Sequence, residues 1–455
     1  MINLRPAKTV QGKIKLPVSP DLLFMAALGA CAAARKINID GVDESDVLDD
    51  IIRAIQGHAS VELNGAALQI TPRAAESGDP ALLLALPESL LPYRAIYLFM
   101  GLGMGKTVTA RSMPQKQALD FIAQGKRIGI TVETVDVDQT IGLRAARFDS
   151  GIAESAYVSE EDCAVLLSYL FGCGEKLTFS IADFHLSTPL RQLAHAFGFT
   201  VSAKSNTETN DPLAKRMKFL RSRQRETSAQ NFVYTVDADF SKRGDTDAAL
   251  NISVPGDELL AAALVTLKCL IPKGDLEISN APTESWASQT VSFIKKMGAK
   301  INVQDGGKTA FGSRGTLTVQ KAELAGRKVR CAPLYQYLGQ LPCMAVAAAF
   351  AEGKSVFREL SGLRLYEPDG LDQLEKSLRP LGVRHGEMPD GIVVEGAREL
   401  DGFDILEPLP AHLAAAFCVA GLRCVGKTAI ADDLAWARWP GFQKMINEIC
   451  EFRGK

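Results

Sequence analysis

The residues GLRCVGKT, 421–428, match at every specified position the pattern G-x-x-x-x-G-K-[ST], whose backbone N–H groups and lysine hold nucleotide phosphates. That chemistry needs a buried strand before the glycines and a helix after them, so that a helix N-terminus faces the phosphates. Here the order is reversed. AHLAAAFCVA, before Gly421, has the pattern of a helix, and TAIADDL, after Lys427, that of a strand. The motif is therefore expected to be a turn. Other chemistry-bearing patterns are sparse. Five scattered histidines and nine cysteines without a C-x-x-C pair give no metal-ligand spacing, so no metal and no cofactor are expected. A net charge of −2 argues against nucleic-acid or polybasic membrane binding as the main role. The basic run AKRMKFLRSRQRE, residues 214–226, is expected to be a solvated loop or amphipathic segment.

The elements that must position any site repeat along the chain. One unit is an amphipathic helix, a glycine turn and an alternating strand, as in ALDFIAQGKRIGITV, LRQLAHAFGFTVSA and TVSFIKKMGAKINV. Gly57, Gly125, Gly198, Gly298 and Gly382 fall where a helix end needs a left-handed residue. A second unit interleaves with it: a small-residue-rich apolar helix, a turn and a strand, as in VPGDELLAAALVTLKCLIPKGDLEISNA and LPAHLAAAFCVAGLRCVGKTAIADDL. Helices apolar all round are expected to be buried. FQKMINEICEFR supplies a last helix whose missing strand the N-terminus can provide. The reading is an α/β chain of six βαβ-like units in two groups of three. No apolar stretch reaches eighteen residues and MINLRPAKTVQGKIKL lacks the core of a signal peptide, so a cytoplasmic protein is expected.

Several stretches carry a family resemblance. SVPGDELLAAAL is similar to V-P-G-D-x-S-S-A-A. The run PCMAVAAAFAEGKSVFRELSGLRLYEPDGLDQLEKSLRPLGV is similar to P-x-x-A-V-x-A-A-F-A-E-G…L-R-x-K-E-S-D-R…L-x-x-L-G-V, and WPGF to Y-P-x-F. The chain resembles the enolpyruvyl transferases, EPSP synthases above all. The resemblance implies two domains of three βαβαββ units each: residues 1–18 with 252–455, and residues 19–251 inserted between them. It implies a monomer whose domains close on phosphoenolpyruvate and shikimate 3-phosphate, with no cofactor, nucleic acid or membrane. The family reaction moves the enolpyruvyl group of phosphoenolpyruvate to the 5-hydroxyl of shikimate 3-phosphate and releases phosphate. That needs a ring of cations for the phosphates and carboxylate, and acids to carry protons.

Carried over motif by motif, the resemblance makes Glu367 and Asp369 the catalytic acids, with helix N-terminal charge as the competing role. It makes Arg94, Lys116, Ser159, Glu161, Ser187, Arg364, His412 and Arg438 the substrate contacts. Ser159 is equally placed to cap the helix that follows it. Other ring positions are changed. The family's opening P-G-D-K-S-x-S-H-R is replaced by PVSPDLLFMAAL, and no Lys or Arg lies between Lys15 and Arg35. Tyr366, Gly370 and Ala437 stand where cations are expected. Each charge-assisted contact contributes roughly 1.5–3 kcal/mol, so losing about four removes at least four orders of magnitude in rate. The fold of a transferase is expected, with the ordinary reaction impaired or absent; the alternatives are a non-catalytic relative that binds a metabolite or partner, or different chemistry.

Overall fold

In a computed structural model of the chain the residues described are 2–42, 46–73, 82–84, 91–110, 115–137, 140–155, 157–158, 160–182, 188–205, 233–241, 248–271, 273–320, 322–331, 339–365, 369–431 and 438–453. The chain divides into two compact units. One comprises Met1–Leu23, Asp40–Asp50 and Ser253–Lys455, the other Phe24–Ile39 and Ile51–Ile252.

The repeats of the sequence are βαβαββ units. In the second unit, strand Leu82–Leu84 is followed by helix Leu91–Gly103, parallel strand Val108–Ala110, helix Gln115–Arg127, and the hairpin Ile130–Val137 and Thr140–Phe148. The last strand inserts, so the sheet order is first, second, fourth, third. Tyr157–Val158, Lys176–Ala182, Thr200–Ser205 and Val233–Asp239 repeat the pattern. The remaining sheet, Ile37–Asp40, Ala59–Asn64 and Ala67–Pro72, takes its first strand from Leu250–Ser253, far along the chain. Small residues let the buried helices meet closely. A Cβ on Gly103 would lie 2.2 Å from the Tyr169 carbonyl, and one on Gly172 2.3 Å from that of Met100.

The first unit is built in the same way. Gly12–Lys15 lies parallel to Leu276–Pro282, which pairs with the hairpin Ile301–Thr309 and Gly312–Val319. Lys328–Arg330, Lys354–Arg358, Arg384–Met388 and Gly391–Glu395 form the next sheet. Residues near the two ends of the sequence pair in two further small sheets: Ile2–Leu4 with Thr428–Ile430, and Ala7–Val10 with Cys450–Phe452. The terminal helix thus stops at Ile449, and CEF adds a strand where the sequence suggested helix throughout. Helices Glu258–Leu270, Leu341–Ala349 and Ala411–Arg423 pack on one another as the core. Every residue of the first two is buried, as their all-round apolar character requires.

Gly198, Gly298 and Gly382 adopt φ of +88°, +119° and +71° at helix ends, the left-handed state expected of them. Gly125 does not: it lies inside its helix, and Gly129, at φ +83°, makes the turn instead. The phosphate-loop match is a turn, as its reversed order predicts. Gly421 lies within helix Ala411–Arg423, Gly426 turns the chain at φ +107°, and Thr428–Ile430 is the strand. A Cβ on Gly421 would come within 2.8 Å of the Thr428 methyl, so close helix–strand packing accounts for the first glycine.

Candidate functional site

Two short segments of the first unit share the pattern Val-x-x-Asp: residues 18–21, VSPD, and residues 254–257, VPGD. They run side by side. Val18 and Gly256 form an antiparallel bridge; the Ser19 N–H donates to the Pro255 carbonyl at 3.0 Å, and the Asp257 N–H to that of Pro17 at 3.0 Å. Asn280, at φ +61° in an irregular stretch of its strand, holds both: its carbonyl accepts from the Gly256 N–H at 2.8 Å and its Nδ2 donates to the Leu16 carbonyl at 3.1 Å. Gly256 is required there, since a Cβ would lie 2.6 Å from the Asn280 carbonyl oxygen.

Each segment leads directly into a helix. Asp257 caps helix Glu258–Leu270, its Oδ1 accepting from the N–H groups of Leu259 at 2.8 Å and Leu260 at 2.9 Å. This satisfies donors that a helix start otherwise leaves unpaired, and sets a carboxylate against the positive end of the helix. Asp21 lies in the first turn of helix Pro20–Ala33.

Arg438 joins the two. Its Nη2 donates to Asp21 Oδ2 at 2.7 Å and to Asp257 Oδ2 at 2.9 Å, with its side chain 2% exposed and both carboxyl groups fully buried. The guanidinium carbon also stands 5.4 Å from the centre of the Trp439 ring. Glu258 completes the cluster, its Oε2 accepting from the Ser19 hydroxyl at 3.2 Å. Burial pushes the Glu258 carboxyl up to about 8, with Asp257 and Asp21 adding to the rise and Arg438 opposing it. At neutral pH Glu258 is mostly a neutral acid. For Arg438, burial lowers the value, and the attraction of Asp21 and Asp257 outweighs it, holding the guanidinium charged. His412, second in helix Ala411–Arg423, is pushed down to about 4 by burial and then by the Arg438 charge, so its imidazole is neutral at pH 7. The chemical result is one guanidinium neutralised by the protein's own acids.

Of the residues singled out in the sequence, Glu367, Ser159 and Ser187 lie outside the described residues, as do Tyr366 and the basic run 214–226. Asp369 caps helix Gly370–Leu378, accepting from Leu371 N–H at 2.9 Å and Asp372 N–H at 3.1 Å. Arg364 sits beside it and bonds Asp369 Oδ2 at 3.4 Å, the Glu387 carboxylate, and the carbonyls of Met388 at 3.1 Å and Pro389 at 3.4 Å. Glu387 raises the Arg364 pKa further, so this cation too is engaged by acids. In the second unit Arg94 is half-buried in the first turn of helix Leu91–Gly103, Lys116 is exposed in that of Gln115–Arg127, and Glu161 is the second residue of Glu160–Cys173. The structure brings Arg364 to Asp369, and His412 into the field of Arg438. Ser19, Asp21, Asp257, Glu258 and Glu387 were not singled out as site residues; the repeated Val-x-x-Asp was the signal available for two of them. Among the described residues no group of three or more His, Cys, Asp or Glu is placed to hold a metal ion, and no helix is long and apolar enough to cross a membrane.

Residues 235–446 match the family described as EPSP synthase (3-phosphoshikimate 1-carboxyvinyltransferase). The 3-phosphoshikimate 1-carboxyvinyltransferase of Desulfitobacterium hafniense is 32% identical over 201 residues, 44% of this chain and 46% of that protein. That of Desulforamulus reducens is 26% identical over 272 residues, 59% of this chain and 62% of that one. The matches therefore span about half the length of these relatives. Among solved structures, EPSP synthase from Acinetobacter baumannii superposes with a TM-score of 0.68 at 17% identity, covering 98% of both chains. The enolpyruvyl transferase NikO from Streptomyces tendae gives a TM-score of 0.62 at 14% identity, covering 99% of this chain and 98% of that one. Residues 235–446 thus match the EPSP synthase family in sequence, and nearly the whole chain shares the fold of the solved EPSP synthase and enolpyruvyl transferase.

Proposed function

We propose that this chain is an EPSP synthase-like protein that no longer performs the ordinary transfer from phosphoenolpyruvate to shikimate 3-phosphate. It holds instead a small anionic metabolite of lower charge. The observation that supports this reading is the state of Arg438. It stands next to the position of the family's late lysine, and its buried guanidinium is bonded to Asp21 and Asp257. A phosphate arriving there would have to displace an internal carboxylate and would meet the remaining acids, an electrostatic penalty in a water-poor site. Arg364 is also engaged by acids, Asp369 and Glu387, in a more exposed setting. The opening lysine has no substitute in sequence, and Tyr366, Gly370 and Ala437 stand where other cations of the family pattern would be.

On this reading the protein works as a cytoplasmic monomer of two domains, residues 1–18 with 252–455 and residues 19–251. Arg94 and Lys116 remain as ligand contacts beside Ser159, Glu161 and Ser187, while Glu367 and Asp369 remain as acids without the usual cationic frame. The test is phosphate release by the purified chain given phosphoenolpyruvate and shikimate 3-phosphate, beside an authentic EPSP synthase. Release about four or more orders of magnitude below the control is expected from the lost contacts. Release within about a hundredfold of it would overturn the proposal.

A further inference from the structure

The pairing of Asp21 and Asp257 through one arginine has a topological meaning. The two acids lie 417 and 181 residues from Arg438 in sequence, and each follows within two residues one of two neighbouring segments, residues 16–19 and 253–256, which meet in the Val18–Gly256 bridge. The first segment lies just before the chain first leaves this unit, after Leu23, and the second begins where it returns for the last time, at Ser253. Arg438 itself sits one residue before Trp439, at the head of the segment that carries helix Phe442–Ile449 and the closing strand Cys450–Phe452. Both acids bond the same nitrogen, Nη2, so neither ion pair can be loosened without altering the charge balance of the other. A buried pair that loses one partner leaves an uncompensated charge, which makes such a triad all-or-none in a way exposed ion pairs are not.

We propose that Asp21, Arg438 and Asp257 form a charge clamp, a conformational device that couples three segments of the first unit: the outgoing strand, the returning strand and the C-terminal helix with its strand. With the clamp closed the three open and close to solvent as one cooperative unit. Removal of any one member releases all three.

Hydrogen exchange on the full-length protein tests this. The variants are Asp21→Asn, Asp257→Asn and Arg438→Met, alone and in pairs, read at residues 16–21, 254–260 and 442–452. Asparagine also caps helices, so Asp257→Asn keeps the start of helix Glu258–Leu270 while removing the charge. Each single variant is expected to speed exchange in all three segments together, by about tenfold or more. In the Arg438→Met background, Asp21→Asn is expected to add no further change at residues 254–260. The clamp is overturned if Asp21→Asn alters only residues 16–21 and Asp257→Asn only residues 254–260, the pattern of independent local ion pairs. If Arg438→Met does not accumulate as folded protein, the two asparagine variants still decide between these outcomes.

Discussion

Replacing Glu258 with glutamine should remove a specific part of the protein's pH dependence. Glu258 holds its proton up to about pH 8 in the folded state, because it is buried and faces Asp257 and Asp21, whereas in the unfolded chain it has the ordinary glutamate value of 4.5. Between those values the folded state binds more protons than the unfolded one, so stability falls as pH rises. His412 acts in the opposite sense. Its folded value of about 4 lies below the ordinary 6.5, so between these the unfolded state binds the extra proton and stability rises with pH. The two slopes offset each other from about pH 4.5 to 6.5, and above that Glu258 acts alone. Integrating its contribution from pH 6.5 to 8 gives a loss on the order of 1–2 kcal/mol. Urea denaturation at half-unit steps of pH measures it. The wild-type protein should lose roughly that amount over the interval and Glu258→Gln should lose little, since the amide oxygen still accepts from Ser19 but has no proton to release. Equal declines in both proteins would refute the assignment of this proton to Glu258.

Other changes follow from the same geometry. Asp257→Ala removes both a helix cap and a buried counter-ion and should destabilise by about 3–5 kcal/mol in chemical denaturation, with Asp257→Asn losing less because the cap survives. Asp369→Ala should lose about 1 kcal/mol, the worth of its cap, and Asp369→Asn much less. Gly421→Ala places a methyl 2.8 Å from the Thr428 methyl and should lower stability by about 1–3 kcal/mol, read as a fall in the denaturation midpoint. Lys427, exposed in the turn that follows, should leave the melting temperature and its response to magnesium and ATP unchanged when replaced by alanine.

Much of the fold was legible because it is local and repeated. A helix of 3.6-residue period, a glycine able to adopt positive φ and an alternating strand each signal themselves within a dozen residues, and Gly298 or Gly382 marks the junction by steric necessity. The same locality reversed the phosphate-loop match, since the helix before Gly421 and the strand after Lys427 decide what the glycines can do. Gly125 misled because two glycines, 125 and 129, stand near one junction, and only the second sits where the turn falls. The buried cluster was hidden for the opposite reason. Nothing within reach of Asp21 in sequence shows that it meets Arg438, 417 residues away, because only the tertiary fold brings them together. A search for missing lysines does not reveal carboxylates that have taken a guanidinium.

The pairing of the first residues with the last also sets an order of events during synthesis. Gly12–Lys15 cannot pair until Leu276–Ser279 has been made, nor Ile2–Leu4 until Thr428–Ile430 exists. At about 5–20 residues per second, the opening strand waits on the ribosome for roughly 20–90 s. The inserted unit, whose last strand is Leu250–Ser253, is complete long before that. The second unit is therefore the first that can fold, and the N-terminal strands spend the interval as exposed edges. Residues 2–15 therefore enter the sheets of the first unit only after their partners emerge, so the first unit is the last to close.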